Sequence, residues 1–232
     1  MKSNPVLLGA GWIEPRRCGR LRSDKVWSLQ DDLDLDQLGR HPDLFPVRPK
    51  NYARFDRPSR LTCCAVALAL LDAEHAVQPD APQPIGILGS HRGGSQTANR
   101  AYFDDYLACG RTLGRGNLFI YTLPTSPLAE SAIHFKLGGP CFHVTPAQAP
   151  LSDLLAIGTR LIQDSQCREI LLVVSDDNSA TALLLGPVGA ARPGLCPADE
   201  AHAFLRASPA GDSFLWWLSK PTEKSSAGIG ED

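Results

Sequence analysis

The strongest constraint on this chain is an alternation. Short, continuous apolar runs bounded by glycine, proline or charge are separated by segments whose apolar residues recur at helical spacing. "IGILG" and "REILLVVSDD" are too short for ordinary helices and apolar at nearly every position, the pattern of strands buried on both faces. "PVLLGAGW" reads as a first strand and "ATALLLGPV" as the successor of "REILLVVSDD". Between the first two strands, "FDRPSRLTCCAVALALLDAEHA" spaces Leu61, Cys64, Ala65, Leu68 and Leu71 for one helix, with Pro58 suited to its first turn and Asp56 or Ser59 to its cap. "SDLLAIGTRLIQDSQ" sets Leu151, Leu154, Leu155, Gly158, Leu161 and Ile162 on one face and Ser152, Asp153, Thr159, Arg160 and Gln163 on a polar one. Strands and helices in this order predict an α/β layered fold.

The remaining segments fill in the order. Residues from Glu14 to Pro49 are charged and weakly periodic, which predicts an irregular excursion with one short helix. "GSHRGGSQTANRAYFDDYLACGR" predicts a glycine turn and a helix; the turn lacks the G-K-[ST] ending of a phosphate-binding loop, so it reads as a chain reversal. "NLFIYTLPTSPLAESAIHFKLGGP" predicts an extended stretch broken at Pro124 and Pro127, then a short helix from Leu128 to Phe135. "CFHV" predicts a strand, "DEAHAFLRA" a helix and "SFLWWLSK" a last strand. Residues 1–220 are expected to form one domain and 221–232 a disordered tail.

Composition removes several function classes. The formal net charge is −2 with both signs interspersed, which offers no surface for tracking phosphates and argues against nucleic acid. No run of about 18 apolar residues suggests a membrane span, and the first residues do not have the pattern of a secretory signal, so a cytoplasmic location is expected. The 7 cysteines form no C-x-x-C, and the 6 histidines are scattered with no H-E-x-x-H, so no metal and no cofactor is expected.

Four stretches carry a resemblance to a known family: "VLLGAGWIEP", "ARFDRPSRLTCCAVALALLDA", "IGILGSHRGGSQTANRAYFDDYL" and "TLPTSPLAESAIHFKLGGP". In their order the chain, over about residues 5 to 178, resembles the amino-terminal half of the β-ketoacyl synthases, which have the thiolase fold. The resemblance implies a single thiolase-like half. In that family a helix ending in G-P precedes the nucleophile strand, and a motif of the type V-D-T-A-C-S-S follows, whose cysteine is acylated. Counting on from Gly139 and Pro140 sets Val144 on the valine, Thr145 on the aspartate, Pro146 on the threonine, Ala147 on the alanine and Gln148 on the cysteine. A thiolate at a helix N-terminus is a good acyl acceptor; an amide is suited to hydrogen bonding and not to thioester exchange. The family's two histidines and lysine lie in its second half. Here 54 residues follow Asn178 and hold one histidine, His202, with no H-G-T-G-T or G-H-T stretch. No catalytic residue is therefore carried over.

The resemblance is nearest to the chain-length factors of type II polyketide systems, which carry glutamine at the cysteine position and pair with an active ketosynthase. Among these, half-length members resemble small ketosynthase-like proteins of aryl polyene pathways. This implies a non-catalytic partner subunit that forms a heterodimer with a full-length β-ketoacyl synthase in polyketide, aryl polyene or fatty-acid-like biosynthesis, with acyl carrier protein as a further partner. The family's nucleophile strand lies at the dimer two-fold. That assigns a partner interface or acyl tunnel to Tyr121, Thr122, Leu123, Thr125, Phe142, Val144 and Gln148, each of which reads equally well as core when taken singly. A lone half would also leave a large apolar face uncovered. An enzyme reading competes: a malonyl-thioester decarboxylase in which Gln148 replaces the cysteine, for which His134 and His143 are the histidines nearest in sequence. A third reading, a stand-alone carrier-protein-binding module, rests on the basic stretch Arg16, Arg17, Arg20, Arg22 and Lys25, which reads more simply as solvated surface.

Overall fold

The computed structural model describes residues 4–23, 25–29, 32–75, 81–145, 150–187 and 194–207, together with 214, 215 and 218. The strands are β1 (Val6–Glu14), β2 (Arg17–Arg20), β3 (Val26–Ser28), β4 (Ile85–His91), β5 (Cys141–His143), β6 (Glu169–Ser175), β7 (Ala180–Gly186) and β8 (Cys196–Pro197). The helices are α1 (Asp32–Leu38), α2 (Arg57–Asp72), α3 (Gln96–Ala108), α4 (Gly116–Phe119), α5 (Ser126–Phe135), α6 (Pro150–Gln163) and α7 (Ala198–Ala207). One mixed sheet runs in the order β3-β2-β1-β7-β6-β4-β5, with β8 also paired to β1. Strands β5, β4 and β6 are mutually parallel, while β7, β1 and β2 each run antiparallel to the neighbour before them.

Both faces of the sheet are buried, so the strands read as unbroken apolar runs rather than alternating ones. Along β6 the side chains still part by twos: Leu171 and Val173 join the core beneath α2, while Ile170 and Leu172 join the core beneath α6. Helix α2 is buried almost all round because β1, β7 and α5 enclose it. Asp56 caps it, its carboxylate accepting the Ser59 N–H at 3.0 Å, with proline in the first turn. The glycines of "LLGAG" let α2 lie directly on β1. A Cβ on Gly11 would stand 2.4 Å from Leu68 Cβ and 2.5 Å from the Ala65 carbonyl oxygen. At the far end of α2 the buried Asp72 accepts the Ala10 N–H at 2.9 Å and the Arg22 N–H at 2.7 Å, which fixes the register shift of β1 near Gly9.

Three expectations are corrected. The excursion from Glu14 to Pro49 contains β2 and β3 as well as α1; β2 is a short strand between β1 and the edge strand β3, with Arg17 exposed, Arg20 half-buried and only Cys18 and Gly19 buried, so neither strand is long or apolar enough to read as a run. "NLFIYT" is not extended: α4 and a 3₁₀ turn over Ile120–Thr122 hold it, closed by the Thr122 hydroxyl donating to the Phe119 carbonyl at 2.7 Å and the Ser126 hydroxyl donating to the Ile120 carbonyl. In "SFLWWLSK" the described Phe214, Leu215 and Leu218 are helical and pack on the core beneath α6, Phe214 against Phe204 with ring centroids 6.0 Å apart.

That last packing also changes the expected bare face. α6 is covered by β6, β4 and β7 on one side and by α7 on another, with Ala156 and Arg160 facing solvent and Ser152, assigned from sequence to the polar face, buried. The chain supplies its own cover for α6. Large exposed apolar side chains gather elsewhere, on the arm formed by α3, α4 and the Ile120–Thr122 turn: Phe103, Leu107, Leu113, Phe119, Ile120 and Leu123. Helix α3 buries none of its residues and packs against α4 and that turn. The tail 221–232 lies outside the described residues.

Candidate functional site

Parallel pairing brings the carboxyl ends of β4, β5 and β6 to one edge of the sheet, with Gly89 opposite His143 and His91 opposite Ser175. In open α/β sheets this is where ligand sites form. From here the chain continues from β4 into the loop before α3 and from β6 into the connection to β7. The two strand-end histidines meet. His91 donates its backbone N–H to His143 Nε2 at 3.2 Å, and His91 Nδ1 in turn accepts the Gly93 N–H at 3.2 Å. Each ring therefore presents one nitrogen as an acceptor to a backbone N–H. Burial holds His143 below the ordinary histidine pKa, and the neighbouring His91 adds to this. His91 Nε2 is buried and lies 3.7 Å from the Asp177 carboxylate, whose other oxygen accepts the Thr97 hydroxyl at 3.2 Å.

A second polar group lies against this edge. The Tyr121 hydroxyl donates to the Glu130 carboxylate at 3.3 Å. Burial raises the pKa of both groups, and the Asp56 carboxylate pushes each further in the same direction. Asp56 is itself raised by burial and partly offset by its bonds to Ser59 and by His91. The half-buried acids Asp56 and Glu130 thus both act on Tyr121, whose hydroxyl holds its proton more firmly as a result.

What this edge can do chemically follows from which groups are free. Both imidazoles are engaged by backbone donors, which locks β5 onto β4 and fixes the loop after β4. Among the described residues no hydrogen bond joins a histidine to a cysteine thiol. Burial also raises the pKa of the Cys141, Cys63 and Cys64 thiols, which disfavours thiolate. No group of three or more His, Cys, Asp or Glu side chains among the described residues is placed to hold a metal ion. The arrangement suits structural anchoring of an edge strand.

The residues assigned from sequence fall into two sets. Gln148, with Pro146 and Ala147, lies outside the described residues. Tyr121 is buried and tied to Glu130; Val144 continues the parallel pairing by donating its N–H to the Gly89 carbonyl at 2.8 Å and packs against the core beneath α6. Thr122 and Thr125 are half-buried, Thr125 at the start of α5 without a side-chain cap bond. Leu123 and Phe142 are surface groups, 53% and 37% exposed, on segments that both contact α5. Strand β5 has β4 on one side, and among the described residues no strand lies on its other side. The sequence reading missed His91, Asp177, Phe119 and Ile120. His91 had a readable signal: a polar residue ending an apolar parallel strand stands at the edge where such sheets place sites.

Neither a family model nor a curated protein matches this sequence. Solved structures do match in fold. The ishigamide ketosynthase/chain length factor is similar over 83% of this chain and 64% of its own, with TM-score 0.57 and 18% identity. A type II polyketide acyl-carrier protein in complex with its ketosynthase is similar over 89% of this chain and 60% of the matched one, with TM-score 0.56 and 10% identity. The complex of a ketosynthase with its chain length factor from Xenorhabdus doucetiae is similar over 81% and 80%, with TM-score 0.52 and 18% identity. The chain spans less than two thirds of the length of the first two. It has the thiolase-like fold of the ketosynthases and chain length factors.

Proposed function

We propose that this chain is a non-catalytic, chain-length-factor-like subunit that pairs with a full-length β-ketoacyl synthase in type II polyketide, aryl polyene or fatty-acid-like biosynthesis. One observation carries the reading. Among the described residues β5 is an edge strand with an open side, and its exposed Phe142 and the apolar arm bearing Phe119, Ile120 and Leu123 flank the same helix, α5. Open strand edges and contiguous apolar surface are the two features that proteins otherwise hide, and both are satisfied by a partner that extends the sheet. The glutamine in place of the acylated cysteine and the sequestered imidazoles support a role without acyl transfer. Two of the similar structures pair a ketosynthase with a chain length factor, which agrees in kind.

Co-expression tests this. The tagged chain, expressed with each full-length ketosynthase of its own genome, is expected to bring one of them through size-exclusion chromatography as a heterodimer. A Phe142→Asp, Leu123→Asp double variant is expected to remain folded and lose the partner. Recovery of the chain alone, as a monomer, with every such ketosynthase overturns the reading. Release of carbon dioxide from a malonyl thioester by the chain alone, abolished by Gln148→Ala, replaces it with the decarboxylase. A Gln148→Cys variant is expected to stay inactive in condensation.

A further inference from the structure

A groove of about 560 Å3 runs between the 43–50 loop, the carboxyl-terminal half of α2 and the last turns of α5. It shares no lining residue with the proposed pairing surface, so it stands independently of that reading. Its walls are apolar, built from Leu44, Leu70 and Phe135 in the core, with Val47 and Ile133 at the surface. Those last two are 61% and 69% exposed, an unusual state for branched aliphatic side chains facing one another's groove.

The charged groups around these walls are unevenly matched. Of the two acids, Glu130 accepts the Tyr121 hydroxyl, while the exposed Asp43 donates its backbone N–H to His41 Nδ1 and keeps its carboxylate 4.0 Å from that ring nitrogen. Arg48 is paired with Asp36 at 2.8 Å. Lys50 and Lys136 also line the groove and are exposed, and neither side chain has a hydrogen bond or ion pair among the described residues. His134, in the same wall, stacks against Phe45 and Phe135 and stays neutral, since burial pushes it down to about 4. The groove therefore combines an apolar trough with two unmatched ammonium groups.

We propose that this groove binds a fatty carboxylate, its hydrocarbon chain lying along Val47, Leu70 and Ile133 and its anionic end met by Lys50 and Lys136. The volume falls in the usual range of small-molecule sites, roughly 300–1,000 Å3. A cationic amphiphile would meet like charge. A peptide would bring backbone polar groups against the apolar stretch of Val47, Leu70 and Ile133, whose side chains offer them no partners. A neutral chain would gain the apolar burial without the charge.

Titration calorimetry on the intact chain, with dodecanoate, dodecanol and dodecyltrimethylammonium each kept below its micelle concentration, decides the matter. Dodecanoate is expected to bind saturably with one site, about twofold to thirtyfold tighter than the alcohol, the margin that two partly exposed ion pairs supply together. The Lys50→Glu, Lys136→Glu double variant is expected to lose that margin and to favour the ammonium probe. Ile133→Asp and, separately, Val47→Asp are expected to abolish binding; both positions are exposed, and unchanged circular dichroism and thermal midpoints verify the fold. Equal affinity for dodecanoate and dodecanol, saturable binding that survives the aspartate variants, or no saturable binding at all would overturn the proposal.

Discussion

Acid should destabilise this protein through His134, and the size of the effect can be worked from its surroundings. The ring is packed against Phe45, centroids 5.5 Å apart, and against Phe135 at 4.5 Å, and burial lowers its pKa from 6.5 to about 4. In the unfolded chain the imidazole titrates normally. As pH falls through 6.5 the unfolded state takes up a proton that the folded state refuses, so the contribution is complete above that value and declines until pH reaches about 4. At about 1.36 kcal/mol per pH unit the loss is at most about 3 kcal/mol, and the ring's partial exposure reduces this to about 2 kcal/mol. That is a sizeable part of the roughly 5–15 kcal/mol stability of an ordinary domain. His143, also held low by burial, adds to the acid sensitivity, while Asp56, Asp72 and Glu130, all raised by burial, oppose it. A difference measurement isolates the one ring. Urea unfolding of the parent and of His134→Phe, from about pH 7.5 to about pH 4.5, should give curves whose separation shifts by about 2 kcal/mol in favour of the variant as pH falls. Parallel pH profiles for the two proteins would refute the reasoning, because a ring that titrates alike in both states carries no linkage.

Two further outcomes follow from the packing of α2. Gly11→Ala is expected to lower stability by about 1–3 kcal/mol in thermal unfolding, because the new Cβ meets the Ala65 carbonyl and Leu68 inside 2.6 Å, and backbone cannot yield as a flexible side chain does. Asp72→Ala is expected to cost about 2–5 kcal/mol by denaturant titration, since the buried Ala10 N–H and the Arg22 N–H lose their acceptor together.

The α/β layering, the long helix α2 and its cap, and the strands β1, β4, β6 and β7 are legible from sequence because burial on both faces leaves continuous apolar runs and a nearly all-apolar helix. The order of those elements also carried the resemblance to the ketosynthase fold. The short strands β2 and β3 were not legible: they are defined by pairing, β2 with β1 and β3 with β2, not by apolar content. The same holds for "NLFIYT", whose β-branched and aromatic residues favour a strand on propensity alone, while hydroxyl caps from Thr122 and Ser126 hold it as helical turns.

The site divides along the same line. Sequence alone placed Leu123 and Phe142 in the segments on either side of α5. Only tertiary structure decided that Tyr121 turns inward to Glu130 while Leu123 turns outward, that His91 and His143 lock two strands together, and that α7 packs on α6 with Phe214 in the same core. The physical reason is that local pattern records which residues must leave water, whereas which neighbour satisfies them is set by contacts between segments far apart in the chain.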